Sequence, residues 1–590
     1  MDREVKNCQN CKQPFVIEPE DFTFYERIQV PPPTFCWECR MQRRLSFRNE
    51  NVLYRRKCDA TGNDMLSIYS AEKKLRIYER DYWWSDKHDG RKYGRDYDFS
   101  KPFFVQWKEL SETAPRPNLL QTNAVNSDYS NYVLNIKNSY MVFSAETGEN
   151  LMYCVGSNVY CKDSMDLLFC LSVERSYGLV DCTSCTSLVM SRDCENCYDS
   201  AFLYDCRNCS NCLGCVGLRN KSYCIFNEPH TKEQYIKRIS ELNLGSFRGF
   251  CDVRKQWDAL LAGAPRRYAQ IFNSSGCTGD DIINAKNCRW CFYAKHNAEN
   301  CRYGFRVLDM KDGMDLLIAW NKSELFYEVA SAYGRNVSFS SLAWNVFDAR
   351  YSDNCFNSSD IFGCIGLKGA RFCILNKQYT EDEYRRTVPK IIEHMNATPY
   401  VDKGGRVYRY GEFFPIELSP FAYNESLAQQ FFTLKENDIT SHCYPWKNPE
   451  TKNYGITKKS KDLPDSIKDV DDSITSEVVG CDHGGDCAHQ CTTAFKVVPE
   501  ELQFYRRMNL PLPRLCPNCR HFDRLGQRNP LKLWHRKCQC AGAKSENGAY
   551  QNTVQHFHGT GKCPNEFETS YAPERKETVY CEQCYQAEVV

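Results

Sequence analysis

The sequence predicts a mainly β fold in which two tandem β-solenoids of twelve-residue repeats lie between an N-terminal and a C-terminal cysteine-knuckle module, with short capping helices. Three observations predict it. Residues 182–217 divide into CTSCTSLVMSRD, CENCYDSAFLYD and CRNCSNCLGCVG, which stacks Cys182, Cys194 and Cys206 in one column and Cys185, Cys197 and Cys209 in another. The interior is duplicated at an offset of 149, so that KDSMDLLF (162–169) recurs as KDGMDLLI (311–318) and GCVGLRNKSYCIFN (214–227) as GCIGLKGARFCILN (363–376). The two ends are copies of one module at an offset of 480, from Cys11 and Cys491 to Cys58 and Cys538.

The frame of twelve extends over 134–229 and, in the duplicate, over 283–378. Its eighth column, Met141, Tyr153, Met165, Tyr177, Val189, Ala201, Leu213 and Ile225, is apolar throughout and predicts a buried row. Asn, Asp, Ser and Gly crowd the positions between, as corner residues do. A fixed short period of inward positions and polar corners describes a solenoid whose repeats bury their apolar faces against neighbours. Columns carrying Met, Tyr, Leu and Phe overfill a thin tube at interior packing density, so a flattened coil of two repeats, about twenty-four residues, is expected over a coil of one.

Each solenoid is preceded by a helix ending W-x-x-L-x-x-x-A-P-R, at Trp107 to Arg116 and Trp257 to Arg266. Each is followed by a helix opening on capping-box spacing, Thr231 with Gln234 and Thr380 with Glu383. The organisation expected is an N-terminal module over 1–96, a first capped solenoid over 97–246, its duplicate over 247–396, an aromatic segment and charged linker over 397–480, and a C-terminal double module over 481–590. Within the fourth part, GEFFPIELSPFAYN (411–424) should pack against something folded, whereas the polar, proline-bearing stretch 445–473 reads as a linker.

At 590 residues the chain exceeds one core, and a net charge of +1 confines any nucleic-acid affinity to local patches. No apolar run reaches a membrane span and the start, MDREVKNCQNCK, carries no signal peptide, so a soluble, cytoplasmic protein is expected. In that setting the 36 cysteines read as metal-bound thiolates or buried thiols rather than disulfides.

Cys8, Cys11, Cys36 and Cys39 have the form C-x2-C-x24-C-x2-C, and Cys487, Cys491, Cys516 and Cys519 repeat it as C-x3-C-x24-C-x2-C. Four thiolates fill a tetrahedral Zn²⁺ and leave no open position, which is the structural kind of site. A third set joins Cys538, or Cys540 in its place, to Cys563, Cys581 and Cys584, with 541–562 as an inserted loop. About three structural zinc ions are therefore expected. In the N-terminal copy the knuckle VYCEQC is replaced by IYERDY (77–82), so that subdomain should hold together through Tyr82, Trp83 and Trp84 without metal. Cys481, His483 and His489 are spare candidate ligands that read more readily as solvated loop residues. The solenoid cysteines read as core, because at the offset of 149 they become Ser331 and Gly334, Ala343 and Val346, Cys355 and Ser358.

C-x2-C, an FY pair, a proline-rich approach and C-P-x-C-R resemble the bacterial "probable zinc-ribbon" family over about forty residues in each terminal module. The whole arrangement is similar to uncharacterised proteins of candidate-phyla bacteria. The resemblance implies zinc ribbons at both ends and implies no reaction.

Basic residues follow each CxxCR: Arg40, Arg43, Arg44, Arg48, Arg55, Arg56 and Lys57 in one module, and Arg520, Arg524, Arg528, Lys532, Arg536 and Lys537 in the other, all but Arg55 and Lys532 being taken as candidate phosphate contacts. At three- and four-residue spacing the arginines share a helix face, which suits phosphate contact. A non-enzymatic scaffold binding nucleic acid, with RNA favoured, is the expectation, a protein-binding scaffold the alternative, and a solenoid hydrolase using Asp163 and Asp166, repeated as Asp312 and Asp315, a distant third. No membrane and no small-molecule substrate are expected.

Overall fold

The computed structural model describes residues 2–448 and 454–589, and it is mainly β with parallel pairing dominant. Two long parallel ladders occupy the interior of the chain, one from Gln121 to Ile225 and the other from Ile271 to Ile374. In the first, Leu168 pairs with Val180, Val180 with Arg192, Arg192 with Tyr204 and Tyr204 with Val216. Each turn thus stacks on the very next repeat. The expected coil of about twenty-four residues is wrong: the register advances by one repeat of twelve.

The local geometry explains how so tight a turn is built. Asp181, Ser184, Ser187, Met190, Asp193, Asn196 and Asp199 all have φ between 46° and 56°, a left-handed corner at every third residue. Asn and Asp tolerate that region best, which accounts for their crowding in the sequence. The residue after each corner faces inward, so Cys182, Cys185, Leu188, Cys194 and Cys197 meet in one enclosed cluster. Four small side chains per turn fill the tube, and asparagine pairs such as Asn208 and Asn220, 3.0 Å apart, run along the outside. The buried column Met165, Val189, Ala201, Leu213 and Ile225 lies outside the tube, against Trp257, Leu502 and Tyr505. Although Met141 and Tyr177 are only partly buried, burial of most of that row was legible in the sequence. Its placement beneath other elements, rather than inside the coil, was not, and that is why the wider coil looked necessary. A register shift between Val155 and Asn158 also slips the frame, so Val142 and Cys154 join the interior in place of their neighbours Phe143 and Val155.

The helix after each ladder opens as expected, whereas the helices before them pack crosswise, Phe103 5.0 Å from Tyr351 of the second ladder and Trp257 5.8 Å from Phe202 of the first. Thr231 Oγ1 accepts from the Gln234 amide at 3.2 Å while Thr231 N donates to Gln234 Oε1 at 2.9 Å, opening the helix Lys232–Leu242. Thr380 and Glu383 do the same for Glu381–Ala397, at 3.3 and 3.0 Å. The helices Phe103–Thr113 and Phe247–Gly263 lead into Arg116 and Arg266. These two arginines begin short strands that pair with Ile77 and Val579 respectively. Ile77 opens IYERDY and Val579 opens VYCEQC, so the two knuckles occupy equivalent places.

The terminal modules share two hairpins and two helices, to which the first adds the short helix Arg80–Trp84 and the second Glu582–Val589. In the first, Glu4–Asn7 pairs with Pro14–Ile17 and Tyr54–Lys57 with Asp64–Ser67, around the helices Pro19–Ile28 and Trp37–Leu45. In the second, the helices are Pro499–Met508 and Pro517–Leu525, and Trp534–Lys537 pairs with Glu566–Thr569. The segment 411–424 packs as expected, with Phe414 4.3 Å from Trp107 and Phe413 5.3 Å from Phe47, ring centre to ring centre. The linker expectation fails over 454–473. Leu463, Ile467 and Val470, joined by Ile474, are buried against Leu502 and Phe504. The few apolar residues of that stretch are spaced to face one way, which its polar composition disguised. Residues 449–453 of the expected linker lie outside the described residues.

Candidate metal centres

Each tetrathiol set is made by a hairpin tip and a helix N-terminus. In the N-terminal module, Cys8 N donates to Gln13 O at 2.9 Å to close the tip, and Cys36 caps the helix Trp37–Leu45 so that Cys39 turns back toward it. The Sγ atoms of Cys8, Cys11, Cys36 and Cys39 all lie within 4.8 Å of one another. Cys11 and Cys36 are 3.7 Å apart. Zn–S bonds of about 2.3 Å in a tetrahedron place sulfurs about 3.8 Å apart, so the set fits zinc. Contact with Cys36 is the largest cause holding the Cys8 thiol well below the ordinary range and the Cys39 thiol well above it. Thiols this crowded cannot all ionise unless a cation sits among them. Asn10 Nδ2 also donates to Cys39 Sγ at 3.3 Å, the kind of outer contact that orients a ligand.

The C-terminal sets correct one residue. Cys481, not Cys487, joins Cys491, Cys516 and Cys519, with Sγ distances of 3.9 Å from Cys481 to Cys519 and from Cys491 to Cys516. Contact with Cys481 brings the Cys516 thiol down to about 4. Cys481 N donates to Thr493 O at 2.8 Å, the bond that Cys8 makes to Gln13, and 13 + 480 = 493. Cys481 therefore stands where Cys8 stands, with a longer tip between it and Cys491. The constant offset of 480 hid it, because the alignment holds only after the insertion. Cys538, Cys563, Cys581 and Cys584 assemble as expected, Cys563 and Cys581 lying 3.8 Å apart, and Cys540 is not among them.

Among the described residues, two further groups gather that the sequence reading did not assemble, although it held His483 and His489 as spare candidates: His483, Cys487, His489 and Cys519, and Cys540, His556, His558 and Cys584. His483 and His489 are half-buried, with ring centres 5.4 Å apart, and Cys481 is buried. The alternation of Cys and His at x-spacing in C481-D-H483, C487-A-H489 and H556-F-H558 was the available signal.

In the N-terminal subdomain the second knuckle's place is taken by other residues. Cys58 Sγ accepts from Glu79 N at 3.3 Å, just as Cys538 Sγ accepts from Cys581 N at 3.2 Å, so Glu79 sits in a ligand's place. Trp83 is fully buried and donates to Pro115 O at 3.0 Å, with Tyr82 packed beside it, whereas Trp84 is 40% exposed. The ladder thiols are engaged with backbone: Cys182 Sγ reaches Val180 O at 3.4 Å and Cys194 Sγ reaches Arg192 O at 3.3 Å. Their counterparts Ala343, Val346 and Cys355 fill the second interior.

The expected arginine faces point inward. Arg40, Arg43, Arg44 and Arg48 are at most 3% exposed. Arg40 Nε meets Asp315 at 2.9 Å, Arg44 meets Asp315 at 3.2 Å and Glu328 at 2.9 Å, Arg43 meets Glu328 at 2.6 Å and Glu412 at 3.1 Å, and Arg48 meets Glu50 at 2.7 Å. In the other module Arg520 meets Asp166 at 2.7 Å, Arg524 meets it at 3.0 Å, and Arg528 meets Asp181 at 2.7 Å. Burial raises the Glu328 and Glu501 carboxyls above their ordinary range, and the facing arginines pull them back. Arg56 bonds Asp59 and Arg536 reaches the carbonyls of Tyr571 and Ala572. Of the eleven residues expected to meet phosphate, only Lys57 and Lys537 stand exposed. A helix face at this spacing is amphipathic for a buried carboxylate as readily as for a phosphate, and the carboxylates lie hundreds of residues away in sequence. The recurrent pair Asp166 and Asp315 thus receives arginines from the helices of the terminal modules. Asp163 and Asp312 sit at left-handed corners and accept from Asn150 and Asn300 at 2.6 and 2.8 Å.

No described helix is long and apolar enough to cross a membrane. No protein-family model and no curated protein matches the chain.

Proposed function

We propose that the protein is a non-enzymatic, zinc-stabilised scaffold: two tandem solenoids, each one repeat per turn, clamped by terminal zinc ribbons. The observation that carries this reading is the crossed clamp. The N-terminal ribbon helix inserts its arginines on Asp315 of the second ladder, and the C-terminal ribbon helix does so on Asp166 of the first. The ribbons then act as braces, and zinc acts by holding the brace helices at the angle the buried pairs require. Four-thiolate sets leave no ligand position for water, and of the recurrent carboxylates Asp166, Asp312 and Asp315 are paired with arginine while Asp163 accepts from Asn150, which argues against hydrolysis.

A protein is the partner this reading favours over RNA, since the arginines that suggested phosphate are engaged internally. The ladder faces instead present apolar side chains to solvent, among them Val125, Tyr160, Tyr198 and Phe347. Affinity capture of the full chain with and without nuclease tests the choice. Partners retained after nuclease support the scaffold reading, and salt-dependent RNA retention that charge reversal of Lys57 and Lys537 abolishes would replace it. Protein purified from zinc-replete medium without zinc would sink the structural premise.

A further inference from the structure

We propose that each half of the C-terminal module holds not one zinc ion but a thiolate-bridged pair, with Cys519 the bridge in one half and Cys584 in the other. This rests on the zinc-ribbon reading above and extends it.

Cys519 belongs at once to the tetrathiol group with Cys481, Cys491 and Cys516 and to the group with His483, Cys487 and His489. Cys584 belongs at once to the group with Cys538, Cys563 and Cys581 and to that with Cys540, His556 and His558. In all four groups the ligand atoms lie within 4.8 Å of one another. Two metals sharing one sulfur is the arrangement that satisfies both groups in a half together.

The two halves reach this composition by different routes. The tip between the first two thiols spans 481–491 in one and 538–563 in the other, and each inserts one cysteine and two histidines. In the N-terminal module the tip is only CQNC, without histidine, and no second group forms among the described residues. The extra donors therefore arrive as a set, with the insertion.

Distances fit. Cys487 Sγ is 3.7 Å from Cys519 Sγ, against about 3.8 Å for two sulfurs on one zinc. Cys584 Sγ is 3.3 Å from His558 Nε2 and Cys540 Sγ is 3.1 Å from His556 Nδ1, near the edge that Zn–S and Zn–N bonds of about 2.3 and 2.0 Å require. The histidines are oriented as ligands are. His556 Nε2 lies 2.7 Å from Glu588 with both side chains fully buried, which aims Nδ1 at Cys540. In the other half, the Nδ1 atoms of His483 and His489 are buried with no hydrogen-bond partner, and the His489 ring lies flat on Phe522 at 5.4 Å.

Charge favours sharing as well. One Zn²⁺ among four thiolates leaves a buried charge of 2 − 4 = −2, whereas two among five thiolates and two neutral imidazoles leave 4 − 5 = −1. The lower charge is the less costly one to bury. The line Cys540, His556, Glu588 also resembles a nucleophile with its base and orienting acid. Cys540 is fully buried, however, and His558 and Cys584 converge on the same point, which a nucleophile has no use for.

Elemental analysis and native mass spectrometry of the full chain should give five zinc ions, one in the N-terminal ribbon and two in each C-terminal half. His483→Ala with His489→Ala should lower the count by one, and Cys519→Ser by two. Three ions in the intact chain would overturn the bridge and leave the ribbons standing, whereas none would overturn both readings. Should Cys519→Ser not fold, the cobalt(II)-substituted intact chain decides. Magnetic coupling between cobalt ions, seen as a paramagnetic resonance signal weaker than the cobalt content requires, is expected, and five uncoupled ions would refute the shared thiolates.

Discussion

Arg40 Nε and Asp315 Oδ2 lie 2.9 Å apart with both side chains enclosed, and the pair's copy, Arg520 Nε and Asp166 Oδ2, closes at 2.7 Å in the other half of the molecule. The first pair joins residues 275 apart in sequence and the second joins residues 354 apart. Removing one member strands a buried charge. Asp315→Leu, which leaves Arg40 and Arg44 short of a partner, should cost about 3–5 kcal/mol. Arg27→Ala breaks a pair to Asp312 in which the arginine is half-exposed, and should cost under about 1 kcal/mol. Chemical denaturation compares the two, and equal midpoints would contradict the clamp.

Cys36→Ser should remove one zinc from the N-terminal ribbon and expose residues 1–50 to protease while the ladders persist. Structural zinc contributes an apparent 10–16 kcal/mol or so in small ribbon domains, more than the module's hairpin and helices can replace. Metal analysis beside limited proteolysis reads the result. Retention of all zinc would show that Cys36 is not a ligand.

Cys194→Ala removes an interior sulfur whose thiol reaches Arg192 O at 3.3 Å. A small-volume change in a closed core should cost on the order of 1–2 kcal/mol. Zinc content should not change, and a fall in it would mean that the ladder thiols hold metal.

How much of this was legible in the sequence follows from the range of each signal. The twelve-residue period, the corners and the capping boxes are local, and the positions of Asp181, Cys182 and Thr231 were readable from spacing alone. The tetrathiol sets were readable where a knuckle is compact, as at Cys8 and Cys11, but an insertion displaced Cys481 beyond the repeat's constant offset. Coil width was not legible, because a row such as Met165 and Val189 is apolar whether it faces the tube or a helix packed on it. The arginines were misassigned for the same reason. Their spacing predicts a shared face, while the identity of what meets that face depends on Asp315 and Glu328, which only the tertiary structure brings near.

Acid should loosen the N-terminal module through His88. Burial lowers this imidazole from its ordinary 6.5 to about 4, and its Nε2 lies 3.3 Å from Gly366 O with Trp83 beside the ring. The unfolded chain takes up the proton first, so the stability His88 contributes is complete above about pH 6.5 and is lost as pH falls toward about 4. Allowing for solvent screening, about 2 kcal/mol should disappear across that window. His88→Leu should flatten it in thermal melts taken from pH 7 to pH 4, and an unaltered slope would show that other groups set the acid limb.

The crossed clamp also imposes an order of events during synthesis. The C-terminal ribbon emerges last and finds Asp166 already made. The N-terminal ribbon emerges first, with Arg40, Arg43 and Arg44 on a helix whose counter-charges are encoded some 275 residues later. At roughly 5–20 residues per second, that helix waits about 14–55 s before Asp315 leaves the ribosome. Over that interval its arginines face water, and the first module cannot dock until the second ladder has been translated.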